Sequence, residues 1–189
     1  HLPTAKTLDL FKSRISSYHK VDPTLEKQIA TLNPHTHPMA ALSAMTVSLS
    51  ALYPEYGASE LKKEQVDDLM AQLLAQLKNI ATYFFRTSTK QKIIPSNPNL
   101  DYCTDFIHMM FGDSSKANIE TIKKALDILL ILHADHEQNC STSTVRMVGS
   151  SKANLYATIS SGINALWGPL HGGANQAVVE MLEHISQSG

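Results

Sequence analysis

Charge is what this sequence has least of. Asp, Glu, Lys and Arg make up 17% of its 189 residues, against roughly a quarter in an ordinary soluble domain. Arginine occurs only at Arg14, Arg86 and Arg146. A chain so poor in charge cannot cover every face with ionised side chains, so some faces are expected to meet other protein. The net charge of −1 leaves no basis for the concentrated basic patch of a nucleic-acid binder. No run of roughly 18 apolar residues exists to span a membrane, and the N-terminus lacks the basic head and apolar block of a signal peptide. Cys103 and Cys140 are the only cysteines, too few for a disulfide framework. A cytoplasmic location is the resulting expectation.

Strand-like alternation is also missing, and helical spacing stands in its place. Leu8, Phe11, Ile15 and Tyr18 form a first stripe, capped by Thr4 or Thr7. Asp22-Pro23 opens a second helix with Leu25, Ile29 and Leu32, which Asn33-Pro34 ends. Thr36 is expected to cap a third, with Pro38 in its first turn and Leu42, Met45, Leu49 and Leu52 buried. Its many Ala and Ser residues let neighbouring axes approach closely, as a central core helix or a subunit interface would require. After a loop, the longest helix carries Val66, Leu69, Leu73, Ile80 and Phe84 on an apolar face. Lys62, Lys63, Glu64, Asp67, Asp68 and Lys78 form its other, solvated face. Asn99 is expected to cap a helix ended by Gly112, and Asn118 leads into the next. A further helix lies near Lys152 to Trp167, and a last one follows His171. The fold expected is all-α: a multi-helix bundle running through 1–189 as a single helical segment.

Two short clusters break this pattern. In the helix after Asn118, Ile122, Leu126 and Leu129 mark a buried stripe, and the same stepping reaches His133 and His136. Imidazoles thus replace leucines at the end of a core-facing stripe, followed by a polar, Ser/Thr-rich turn from Gln138 to Thr144. A buried imidazole needs partners for both nitrogens, and a polar cavity at a helix end suits an anionic or carbonyl ligand. In the second cluster, Gly168 and Pro169 stop one helix. His171 then precedes Gly172, Gly173 and a new stripe of Ala174, Val178, Met181 and Ile185. The positive end of a helix dipole disfavours imidazolium, so His171 is expected to be a neutral hydrogen-bond donor. Its glycine neighbours would let a ligand approach the backbone.

The two clusters read H-A-D-H-E-Q-N (His133 to Asn139), with S-T-S-T-V-R after it, and W-G-P-L-H-G-G-A-N (Trp167 to Asn175). In order and spacing they resemble citrate synthase, most closely its bacterial-type branch. T-H-P-M (Thr36 to Met39) and M-M-F (Met109 to Phe111) look like further family segments. The resemblance implies part of the family's large domain, in an enzyme that joins acetyl-CoA to oxaloacetate and hydrolyses citryl-CoA. It implies no metal or redox cofactor, and a homodimer or higher homo-oligomer. His171 would donate to the thioester oxygen, His136 would bind oxaloacetate, and Asn139 and Ser141 would line the site, with Ser141 supporting His171. His133 would be structural. Family members are more than twice as long, so an internal fragment is expected. The family's aspartate base, second catalytic histidine and carboxylate-binding arginines follow the G-G-A-N motif, so the 189-residue chain should be inactive alone.

Three other readings compete. A 2-methylcitrate synthase would share the fold and histidines but use propionyl-CoA. A metal site could be assembled from His133, His136 and His171 with Asp135 or Glu137. A non-catalytic helical interaction module would account for the small-residue helices alone.

Overall fold

Among the described residues, six helices begin where a side-chain acceptor covers the first free backbone N–H groups, the orphan donors of any helix start. The acceptors are Thr4, Asp22, His37, Asp101, Asn139 and Asn154. The computed structural model describes residues 2–57, 61–112, 118–134 and 138–188. Among them run α1 (Ala5–Ser17), α2 (Pro23–Thr31), α3 (Pro38–Leu52), α4 (Lys63–Ser88) and α5 (Tyr102–Phe111). They are followed by α6 (Ile119–Ala134), α7 (Cys140–Ser150), α8 (Leu155–Leu166) and α9 (Gly172–Ser188). A single 3-10 turn, Pro54–Tyr56, follows α3, and no strand occurs among the described residues. The all-α expectation is met.

Two caps fall beside their expected positions. His37, not Thr36, caps α3, its Nδ1 accepting the Met39 N–H at 3.2 Å. Asp101, not Asn99, caps α5, because only its carboxylate reaches both the Thr104 N–H and hydroxyl, at 3.1 and 2.7 Å. The Ser/Thr-rich stretch expected as a turn is helix α7. Asn139 starts it, and Thr144 satisfies its own hydroxyl by donating to the Cys140 carbonyl one turn back, at 2.8 Å. Such local bonds let hydroxyl residues sit in a helix without outside partners.

α4 is the axis of the packing, with α1, α2, α3 and α5 laid against it. Leu25, Ile29, Leu49, Leu69 and Ile80 are fully buried around it, each such side chain stabilising the fold by about 1.5–3 kcal/mol. Its polar face is not wholly solvated, contrary to the simple amphipathic reading. Lys78 and Asp105 are both buried and paired, and the Asp105 carboxylate also accepts Ser96 Oγ at 2.6 Å and the Asn97 N–H at 2.8 Å. Asp68 accepts the Tyr18 hydroxyl at 2.5 Å and also that of Tyr56. Gln76 donates to the Tyr18 and Lys20 carbonyls, both at 2.9 Å. A helix covered on several sides must meet the backbone and side chains of its neighbours with polar groups, since buried polar atoms need partners.

α3 and α8 run antiparallel. Ser43 and Ser160 exchange hydrogen bonds midway, with their oxygens 2.8 Å apart; at the far end His37 stacks on Trp167. The small residues of α3 therefore serve a helix contact inside this chain. α7 closes on α8 at Gly162, where a Cβ would stand 2.6 Å from Val145 Cγ2. The stripes of α6 and α9 differ from expectation. Ile122 and Leu129 on α6 are 48% and 50% exposed, and Met181 and Ile185 on α9 are 52% and 58% exposed. Their amphipathic spacing is real, but the described part of the chain leaves these side chains largely uncovered; on α6 only Leu126 of the stripe is partly buried, where α5 touches the helix.

Candidate functional site

The site is built where α6 ends, α7 begins and α8 turns into α9. Trp167 caps α8 by returning its N–H to the Ile163 carbonyl at 3.0 Å. The chain then makes a tight turn in which His171 donates its N–H to the Gly168 carbonyl, also at 3.0 Å. Gly172 is required there by the chain itself: a Cβ would lie 2.3 Å from the Leu166 carbonyl oxygen. A close intrachain approach, rather than room for a ligand, accounts for this glycine.

His171 stands immediately before α9, as its sequence position suggested, with its ring half-buried. Its Nε2 lies 3.1 Å from Ser141 Oγ. Ser141 in turn lies 2.9 Å from Asn139 Oδ1, which also accepts the Thr142 N–H at 2.9 Å. The Ser141 hydroxyl has one proton and two acceptors within reach. When it donates to Asn139, His171 must carry its proton on Nε2. When it donates to His171 Nε2, the imidazole proton resides on Nδ1 and that nitrogen becomes a donor. The Thr142 N–H holds Asn139 Oδ1 in either state, so the rotor can turn without leaving the cap unsatisfied.

His133, expected to be structural, belongs to this same place. Its Nδ1 donates to the Leu129 carbonyl at 2.7 Å, and its Nε2 accepts from Asn175 Nδ2 at 3.2 Å. The bond to Asn175 ties the end of α6 to the first turn of α9. With both ring nitrogens so engaged, His133 has none left for a metal, which weakens the metal reading. Asp135, His136 and Glu137 lie outside the described residues, so the oxaloacetate role expected of His136 and three of the five candidate ligands fall there too. Among the described residues, no three His, Cys, Asp or Glu side chains cluster as a metal site would need.

Beside this group, between the N-terminus of α3, the end of α6 and the α8–α9 turn, opens a cavity of about 290 Å³, lined by His37, His133, Trp167, Gly172 and Asn175 among others, with His171, Ser141 and Asn139 outside its lining. Trp167 and Asn175 sit inside the W-G-P-L-H-G-G-A-N string and were open to being found from it. His37 had only its place in T-H-P-M as a signal. A second cavity, about 320 Å³, lies between α1 and the segment before α5, with Lys78 and Asp105 in its wall. It contains none of the site residues proposed from the sequence.

A family model described as citrate synthase, C-terminal domain, matches residues 1–189. The chain belongs to the citrate synthase family. Curated relatives agree. It is 45% identical over 191 residues to citrate synthase 1 of Mycobacterium tuberculosis, covering 100% of this chain and 44% of that protein. It is 43% identical over 189 residues to the citrate synthase of Corynebacterium glutamicum, covering 99% and 43%. Among solved structures, the citrate synthase of Pyrobaculum aerophilum superposes with a TM-score of 0.85 at 30% identity, over 98% of this chain and 47% of that one. The citrate synthase of Thermoplasma acidophilum, in a ternary complex with carboxymethyl coenzyme A and oxaloacetate, gives 0.87 at 26% identity, again over 98% and 47%. The chain thus spans less than half the length of the family members it matches. No described helix is long and apolar enough to cross a membrane.

Proposed function

We propose that the intact protein condenses acetyl-CoA with oxaloacetate and hydrolyses the product to citrate and CoA. A base removes a proton from the acetyl methyl group, and the electron pair moves toward the thioester oxygen. The resulting enol(ate) carbon then attacks the oxaloacetate carbonyl carbon, and water cleaves the thioester of citryl-CoA. One observation carries the assignment within this chain: the His171 ring at the mouth of α9, braced through Nε2 by Ser141 Oγ at 3.1 Å. With the Ser141 proton on that bond, His171 Nδ1–H is the donor to the thioester oxygen as charge develops there. A neutral donor suits the task, because imidazolium could surrender its proton outright. Such donors typically lower the barrier by roughly 3 kcal/mol.

In this reading His171 is catalytic, His136 binds oxaloacetate, and Asn139 and Ser141 support His171 and set its tautomer. The chemistry needs no metal or redox cofactor. Homo-oligomeric assembly belongs to the proposal and is supported by the uncovered apolar faces of α6 and α9. A cytoplasmic location belongs to it as well, supported by two unpaired cysteines. The names of the relatives favour acetyl-CoA over propionyl-CoA.

The test is release of CoA thiol by the purified intact protein with oxaloacetate and either acyl-CoA. Faster turnover of acetyl-CoA is expected, and none from the 189-residue chain alone. A clear preference for propionyl-CoA would instead make the protein a 2-methylcitrate synthase. Inactivity with both would remove the proposal.

A further inference from the structure

The antiparallel pairing of α3 with α8 has a fixed register, and its outer end lies at the candidate site. From the Ser43–Ser160 contact, six residues back along α3 lead to His37 and seven forward along α8 lead to Trp167. Those two rings stack with centroids 4.7 Å apart and planes inclined by 28°. The His37 ring is held by its own helix start, and the Trp167 backbone by the end of α8. His37 caps α3 through Nδ1, so its orientation is set by the Met39 N–H at 3.2 Å. Trp167 is fixed as the C-cap of α8. From Trp167 the chain reaches His171 in four residues of hydrogen-bonded turn. Gly172 lies so close to the Leu166 carbonyl that it has no room for a Cβ, and the Gly168 carbonyl accepts the His171 and Gly173 N–H groups across the turn. A shift of the indole would therefore be passed on to the His171 ring.

We propose that His37 is a positioning residue that acts through Trp167: the stacked pair clamps the turn carrying His171 to the N-terminus of α3. The ring of His37 and its capping nitrogen then have separate duties. Nδ1 stabilises α3, whereas the ring face holds the indole in place. An exposed aromatic contact at the rim of a cavity adds little to core packing, so its placement there is explained by alignment of the turn. The inference rests on the role proposed for His171.

Two substitutions separate the duties. His37→Asn keeps a side-chain acceptor for the cap and removes the ring; His37→Phe keeps the ring and removes the acceptor. In the intact protein, His37→Asn is expected to lower kcat roughly ten- to a hundredfold, the range for a small misalignment of a catalytic group. KM for oxaloacetate should change little, and the melting temperature should stay near the parent's. His37→Phe is expected to recover most of kcat while losing melting temperature. Imidazole resonances of His171, followed by NMR, provide an arm that does not depend on activity: they should broaden or shift in His37→Asn and return in His37→Phe. If kcat and the His171 resonances follow melting temperature in both variants, or if His37→Asn leaves them unchanged, the clamp is refuted. An inactive parent protein would instead refute the proposed function, while the resonances would still judge the clamp.

Discussion

Replacing Lys78 by Met tests how α4 is buried. The side chains of Lys78 and Asp105 are 6% and 2% exposed and form an ion pair. Methionine fills most of the lysine's volume, so packing is largely kept while the charge is removed. Asp105 is then left with Ser96 Oγ and the Asn97 N–H. Removing one partner of a buried pair costs about 3–5 kcal/mol. The two surviving donors bring the expected loss to the low end, about 3 kcal/mol. At about 2–4 °C per kcal/mol for a chain of this size, the melting temperature should fall by roughly 6–12 °C. Lys63→Met, at the exposed start of the same helix, should stay within about 0.5 kcal/mol of the parent. Urea unfolding followed by far-UV circular dichroism measures both. Equal, small effects would mean that Lys78 is as solvated as Lys63, and the packing described around α4 would be wrong.

Two further outcomes follow from single contacts. Gly162→Ala gains helix propensity but drives a methyl group into Val145, so a net loss of about 1 kcal/mol is expected. Adding Val145→Ala should relieve the clash, and an absence of coupling between the two changes in a double-mutant cycle would contradict the close α7–α8 contact. Burial works to raise the Asp101 carboxyl, but hydrogen bonds from Lys123 and from the Thr104 hydroxyl and N–H outweigh it and hold it down at about 2, against an ordinary 3.8. A carboxyl depressed on folding contributes stability above its unfolded value and loses it as pH falls through the folded one. Asp101→Asn keeps a capping oxygen. It should therefore be slightly less stable than the parent near neutral pH and converge with it toward about pH 2. A gap that stays constant over that range would show that charge is not the cause.

The helices were legible because apolar spacing and capping residues are local signals. Leu25 and Ile29, for instance, are buried as their spacing required, with Asp22 as the cap. What stayed hidden depended on neighbours. Lys78 reads as surface until Asp105, 27 residues later, arrives beside it. Ile122 and Leu129 read as core because periodicity reports which face is apolar, not whether anything covers it. The run after Gln138 looked like a turn because hydroxyl residues favour turns; α7 forms because they bond back to its own carbonyls. At the candidate site, the structure brings His171 and Ser141, singled out from separate clusters, within 3.1 Å. The bond by which His133 ties α6 to α9 was not legible, since its partner Asn175 lies 42 residues away. The stack of His37 on Trp167 arises only from the register of α3 on α8.

The most direct measurement is the steady-state kinetics of His171→Ala in the intact protein. The account predicts kcat lower by about a hundred- to a thousandfold, the cost of losing one oxyanion donor, with oxaloacetate affinity within a few-fold of the parent. A variant that turns over acetyl-CoA and oxaloacetate at the parent's rate would contradict it.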